Sequence, residues 1–376
     1  MKVFNLIPTR ARLWLAVTVY AGALMVPAGY QTTEVNEAGL AMRQWLYQRL
    51  SAYQLSETAM ISIWTFIVSC HLMGELFGSL IAMLIGDRVS RRDLMCLAIL
   101  PLVFGDILAF LAQPTQMWWF LAVGRTISAL SDGIAWPSLA VYLSEVAPIN
   151  KRASLYAAYQ LIREIGLLLG MLVGMPGLLG TPVLWHYIFL VSALISLLFA
   201  PFTVLFPRTG RYLLTKRRVR EAAESSMVFF QGANSEFEEM YRRLEKETSE
   251  SHTWDSSLFQ EARRHKGAIL LTFCFSCSIG TAGRLALVSY SVDLCHNLGL
   301  TYASAQTVGL VGQIFPIFVC LLNTCVIERF GRRVIFSTAG IVAIVLQLWI
   351  TVALFVRSFG VERPFLIYSG AGAVVL

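Results

Sequence analysis

The chain has 376 residues, of which 56% are hydrophobic and 14% charged, with a formal net charge of +7. Soluble domains carry about 25% charged residues, so a disordered chain, a coiled coil and a merely basic nucleic-acid module are excluded. Apolar runs of about 20 residues, each long enough to cross a bilayer as a helix, recur from residue 12 onward, which predicts an all-α polytopic membrane protein.

In chain order, hydropathy predicts helices over 12–30, 59–85, 93–112, 117–143, 153–175, 184–206, 267–291, 303–327 and 334–356, then an apolar piece from Pro364 to Leu376. The first run is too long for a cleaved signal and lacks a convincing cleavage site. Residues 31–57 read as an external loop carrying Glu34, Glu37, Arg43 and Arg49. Residues 207–266 form a polar stretch with 12 basic and 10 acidic residues. Within it, Ser235 and Glu238 have capping-box spacing, and Glu238/Arg242 and Glu239/Arg243 are i,i+4 pairs. Short amphipathic helices are therefore expected there. The division is a six-helix bundle over 1–206, a connecting loop over 207–266 and a partial second bundle over 267–376.

Charge placement predicts orientation. Of the 30 Lys and Arg residues, 23 fall in segments that would share one side, against Arg43, Arg49, Arg357 and Arg363 on the other. The positive-inside rule puts the N-terminus and the long loop in the cytoplasm. The basic excess is thus an orientation signal, and no nucleic-acid partner is expected. Cys274 and Cys277 form a C-x-x-C inside an apolar run, where packing outweighs redox or metal chemistry. The five His residues are isolated in sequence. No metal or cofactor, no nucleophile–base set and no enzymatic activity is expected.

An internal repeat carries the functional signal. Gly86-Asp87-Arg88-Val89-Ser90-Arg91-Arg92 follows the second predicted helix, and Ile327-Glu328-Arg329-Phe330-Gly331-Arg332-Arg333 follows the eighth. An acid, an Arg, two residues and an Arg pair recur six helices apart, as in transporters built from two parallel six-helix halves. Seven charged residues lie inside predicted helices: Glu75, Asp106, Arg125, Asp132, Arg163, Glu164 and Arg284. Each costs about 2.5–3.5 kcal/mol at mid-bilayer unless it is paired or faces a watered cavity. Arg125 and Asp132 share a helix face, and Gln160, Arg163, Glu164 and Leu167 form a stripe. Gly74/Gly78 and Gly166/Gly170/Gly174 mark lines where backbones can approach closely. Trp118 and Trp119 read as interfacial anchors.

These motifs resemble the sugar porter (facilitative hexose transporter) branch of the major facilitator superfamily, from about Val26 to Gly340. The second basic loop fits the family loop fully, and the first has Ser90 in place of Gly. Gly124-Arg125, Gly133, Tyr142, Glu145 and Arg152 have the spacing of the family's second signature, with Ala129 replacing a Gly. Gly29-Tyr30-Gln31-Thr32 is similar to Gly-Tyr-Asn/Asp-Thr. Residues Pro207 to Leu214, with Arg211, resemble the Pro-Glu-Ser-Pro-Arg segment, and Arg208 stands where the family has Glu.

The resemblance implies a major facilitator fold, of which this chain would lack helices 10–12. It also implies alternating-access transport of a sugar or similar small polar solute across a plasma-membrane bilayer, without a cofactor. Gate or coupling roles follow for Gln31, Asp87, Arg88, Arg91, Arg92, Arg125, Asp132, Glu145, Arg152, Arg211, Glu328, Arg329, Arg332 and Arg333. Gln160 falls where the family holds sugar hydroxyls. The family amides of the seventh helix are missing from Ile279 to Leu285, and Pro316 occupies the position of an Asn in the eighth. Arg163, Glu164 and Arg284 then join Gln160 as candidate substrate contacts, and a polar or anionic solute is expected over plain glucose. Gln31 cannot titrate where proton-coupled relatives carry Asp, which implies downhill facilitation. Two alternatives stay open: a truncated, non-transporting sensor or partner, and a carrier of organic anions.

Overall fold

The computed structural model describes residues 8–86, 88–148, 151–217, 219–232, 241–242, 263, 265–281, 287–288, 290–330, 332–358, 369–370 and 372–373. The chain enters through α1 (Thr9–Tyr20), passes a π-helical turn at Ala21–Met25 and continues as α2 (Val26–Glu37). Then come α3 (Gly39–Leu50), α4 (Glu57–Ile85), α5 (Arg91–Thr115), α6 (Trp118–Val146), α7 (Arg152–Gly174) and α8 (Tyr187–Thr203). After these follow α9 (Arg220–Gln231), α10 (Lys266–Thr281), α11 (Ser291–Asn297), α12 (Tyr302–Phe330) and α13 (Arg332–Ser358). Among the described residues, six helices are long and apolar enough to cross a membrane.

Local chemistry explains several boundaries. Ser56 opens α4 by accepting the Ala59 amide at 3.3 Å, a normal N-cap. Gln116 closes α5 in the left-handed region at φ 61°, just before Trp118 starts α6. The short turn Gly210–Tyr212 is capped by Thr209 Oγ1, which accepts the Tyr212 amide at 3.4 Å.

Within lipid, helices associate by close packing rather than by expulsion of water. Accordingly, α4 and α5 both pack on α6, α2 on α7, α5 on α8 and α7 on α12. A Cβ on Gly74 of α4 would collide with the Thr126 carbonyl of α6, and one on Gly29 of α2 with the Arg163 carbonyl of α7. The glycine lines of the sequence are thus helix-contact lines.

Two apolar plugs bound the interior. One, near the N-terminal end, gathers Tyr20, Tyr142, Phe206 and Phe230. Phe230 belongs to amphipathic α9, whose Gln231 amide donates to the Val146 carbonyl at 3.2 Å. The other, at the far end, gathers Tyr30, Trp45, Ile67 and Trp185. Between them lies a layer of buried polar residues.

One expectation needs correction. Residues 31–57 are not an external loop: helix continues through Glu37 and resumes as α3, and Glu34 and Glu37 are each 1% exposed. The polar side chains that lower hydropathy there turn inward and find partners or enclosure instead of water. Of the helix expected over 267–291, Lys266–Thr281 is described as α10 and Tyr290 is the turn that opens α11, whereas 282–286 and 289 lie outside the described residues. Ser235, Glu238, Glu239 and Arg243 lie outside the described residues.

Candidate functional site

The buried polar layer centres on Arg125 of α6. Its Nη1 donates to Glu34 Oε1 of α2 at 2.8 Å, and Nη2 to the Gln31 carbonyl at 3.4 Å. One turn earlier on α2, the Gln31 amide donates to Asp106 Oδ1 of α5 at 2.9 Å and to Ser192 Oγ of α8 at 3.1 Å. Four helices are therefore tied at one depth by groups that lipid cannot solvate. Asp132, two turns beyond Arg125, lies 3.5 Å from His71 Nε2 of α4. Every charged group here belongs to the first bundle, so the layer can hold its pairs without breaking them. Hydropathy placed Glu34 in a loop and so missed the partner of Arg125. The i,i+3 placement of Gln31 and Glu34 on a helix continuing past Tyr30 was the available signal.

A second cluster joins the two halves. Midway along α7, Gln160 Nε2 donates to Glu164 Oε1 at 2.8 Å, and Gln313 Nε2 of α12 donates to Glu164 Oε2 at 3.2 Å. Glu164 and Gln313 are both 3% exposed. Gln313 was not singled out from the sequence, because the register pointed to Pro316. It lies one helical turn before that proline and brings a carboxamide to the interface from α12. The expected stripe of α7 divides. Glu164 and Gln160 face α12, whereas the Arg163 guanidinium lies 4.9 Å from the Trp136 ring centroid of α6. Consecutive helical residues point about 100° apart, which separates Arg163 from Glu164. Trp136 itself packs edge-on against Tyr159, with centroids 6.2 Å apart. Arg284 lies outside the described residues.

At the far end, α2 and α3 meet α11 and α12. Asn36 Nδ2 donates to Ser291 Oγ at 2.7 Å and to the Val288 carbonyl at 3.1 Å. Gln306 Nε2 donates to the Glu37 carbonyl at 3.2 Å, and Arg43 pairs with Asp293. These contacts close that end of the interface.

At the N-terminal end, Arg208 of the segment after α8 pairs with Asp93 of α5 through Nε at 2.8 Å. The reversed charge at Arg208 thus meets an acid, and Arg92 lies 3.8 Å from the same side chain. Arg152 Nε donates to the Ala147 carbonyl at 3.2 Å. Arg88, Arg91, Glu145 and Arg211 occupy this same end, Arg88 being exposed. Asp87 lies outside the described residues. Glu328 and Arg329 fall in the last turn of α12, and Arg332 and Arg333 open α13; their side chains are outside the described set.

Comparison with known proteins gives one consistent picture. The family model described as "Sugar (and other) transporter" matches residues 15–374. A facilitated glucose transporter (member 2) of Sus scrofa is 26% identical over 284 residues, 75% of this chain and 54% of its own length. Member 3 of Gallus gallus is 26% identical over 96% of this chain and 75% of its own length. Member 7 of Mus musculus is 25% identical over 83% of this chain and 61% of its own length. The chain thus spans between about half and three quarters of the relatives it matches. The MFS proton:xylose symporter XylE bound to 6-bromo-6-deoxy-D-glucose superimposes with a TM-score of 0.75 at 19% identity, covering 97% of this chain and 80% of that one. A partially occluded inward-open XylE from E. coli gives a TM-score of 0.69 over 96% of this chain and 83% of that one. The fold is that of the major facilitator superfamily.

Proposed function

The chain belongs to the sugar (and other) transporter family, the sugar-porter branch of the major facilitator superfamily, and on that premise we propose that it moves a sugar or similar small polar solute by alternating access. The Gln313–Glu164 hydrogen bond carries this reading, because it crosses between helices of the two halves at mid-depth. A sugar hydroxyl is both donor and acceptor, and a buried one needs partners of both kinds. Glu164 with Gln160 and Gln313 offers carboxylate acceptors beside carboxamide donors. Solute hydroxyls would replace the Gln313 bond and let the halves part. Arg284 is a further proposed substrate contact.

A buried carboxylate repels an anion, so the set favours a neutral, hydroxyl-rich solute over an organic anion. Arg163, turned onto Trp136, does not lie with Glu164 on the face toward α12. Coupling is proposed to be downhill: Gln31, which cannot titrate, occupies the position beside Arg125. Gate and coupling roles are proposed for Asp132, for the acid–arginine turns at 87–92 and 328–333, and for Glu145, Arg152 and Arg211. The moving parts are residues 1–206 and 267–376, joined by 207–266. By the positive-inside rule the N-terminus is cytoplasmic, and the plasma membrane is the proposed location.

The test is uptake of labelled hexoses and of a labelled hexuronate by proteoliposomes holding the chain. Hexose uptake is expected, with loss of about tenfold or more in Glu164→Leu, since removing a hydrogen-bonding group from a polar site is heavily penalised. Faster uptake of the hexuronate, or hexose uptake unchanged in Glu164→Leu, would overturn it. Accumulation of hexose against its gradient under an imposed proton gradient would overturn the downhill part.

A further inference from the structure

One buried acid has no place in the layer around Arg125. Glu37, the last residue of α2, is 1% exposed, and neither carboxylate oxygen has a hydrogen-bond partner among the described residues. Its surroundings are specific. The α12 backbone closes over it at Gly309, where a Cβ would come within 3.2 Å of Glu37 Oε1 and 3.4 Å of Ser291 Oγ. Gly174 of α7 packs on its Cβ from the other side.

The neighbouring charges are directed elsewhere. The Gln306 amide donates to the Glu37 main-chain carbonyl and lies close enough to act on its carboxyl as well, and the Asn36 amide bonds Ser291 and Val288. Arg43 of α3 pairs with Asp293 of α11, and Glu34 of α2 with Arg125. Among the described residues, the remaining titratable groups within electrostatic reach are Cys295 of α11 and Tyr302 of α12, and neither brings positive charge. The residues of α7 that lead up to Gly174 (Leu172 and Val173) have no titratable side chain.

An ionised carboxylate enclosed without a cation costs several kcal/mol, far more than the neutral acid, and one neighbouring amide offsets only part of that. Among the described residues, the groups named around Glu37 other than Gly174 sit on α11 and α12, across the interface. Parting that interface returns the carboxyl to water, where it ionises with a pKa of about 4.3. We propose that Glu37 is the proton-binding site of the outer gate, which closes with Glu37 protonated and reopens with release of that proton. The proton comes from outer water and returns to it, so it governs how often the gate closes without being carried across. This rests on the orientation and the alternating-access cycle proposed above. The closed gate binds one more proton than the open gate, so acid outside favours closure. For one linked proton the closed-to-open ratio rises by up to about tenfold per pH unit of acidification.

The experiment measures the distance between spin labels at Gln44 of α3 and Thr307 of α12, both exposed, in the full chain in liposomes between pH 5 and 8. The closed population is expected to grow as pH falls. Glu37→Gln, which mimics the neutral acid, should stay mostly closed and lose the pH response. Asp293→Asn should weaken closure at every pH while keeping the slope. A pH slope retained in Glu37→Gln, or one abolished by Asp293→Asn alone, overturns the proposal, as does a gate that moves with hexose but not with pH. A distance that responds to neither overturns the alternating-access reading as well. Thermal unfolding provides a control independent of labelling: at pH 7.5, Glu37→Gln should melt no lower than the parent chain, and a marked drop would overturn the proposal.

Discussion

The Arg125–Glu34 and Arg43–Asp293 pairs use the same two chemical groups in opposite settings. The side chains of the first are 4% and 1% exposed and lie inside one bundle; those of the second are 29% and 28% exposed and lie where two halves meet. Taking ions out of water is expensive, and only good geometry with further hydrogen bonds offsets it. The inner pair has that support from the Gln31 carbonyl and from the neighbouring Gln31–Asp106–Ser192 set. The outer pair is partly hydrated, so breaking it costs little. A transporter needs both kinds: a bundle that turns as a body, and contacts between bundles weak enough to open in every cycle.

Substitutions can sharpen this contrast. The largest effect is expected from Glu34→Ala, which leaves the Arg125 guanidinium buried without its carboxylate. A loss of about 3–5 kcal/mol should appear as a large fall in melting temperature and in folded yield, and a drop within error would show that the layer is not a fixed core. Gln313→Ala comes next. It removes a single hydrogen bond between the halves, worth about 1 kcal/mol, so stability should hardly change. Hexose uptake should nonetheless fall several-fold through a raised KM, and unchanged KM with lost stability would make this contact structural. The smallest effect belongs to Arg43→Gln, about 0–1 kcal/mol for a partly exposed pair. It should shift the Gln44–Thr307 distance toward the open form in low salt and do less in high salt, where the native pair is already screened. A salt-independent shift would contradict the hydrated character assigned to that pair.

The acids near α2 also show why some of the site was legible in the sequence and some was not. Arg125, Asp132, Gln160 and Glu164 were found because a charge or amide inside a long apolar run stands out whatever it touches. Glu34 and Glu37 were hidden by the same logic: several polar residues together lower hydropathy and look like the end of a span. The helix instead continues to Glu37, because its polar groups are met by α6, α11 and α12. Gln313 was missed because a family register assigns one residue per position, whereas a side chain one turn away can bring its amide to the same depth.

The number and approximate bounds of most spans, the polar break over 207–266 and the twin basic turns follow from local facts. Apolar run length, charge spacing and cap residues act over a few residues and need no partner. The pairing of Gln31 with Asp106, of Glu164 with Gln313 and of Arg43 with Asp293 joins positions 75, 149 and 250 residues apart. Those pairings depend on the rotation of each helix about its axis and on how close its small residues let a neighbour approach. Only packing of the assembled helices settles these quantities, because one residue of rotation turns a side chain by about 100°.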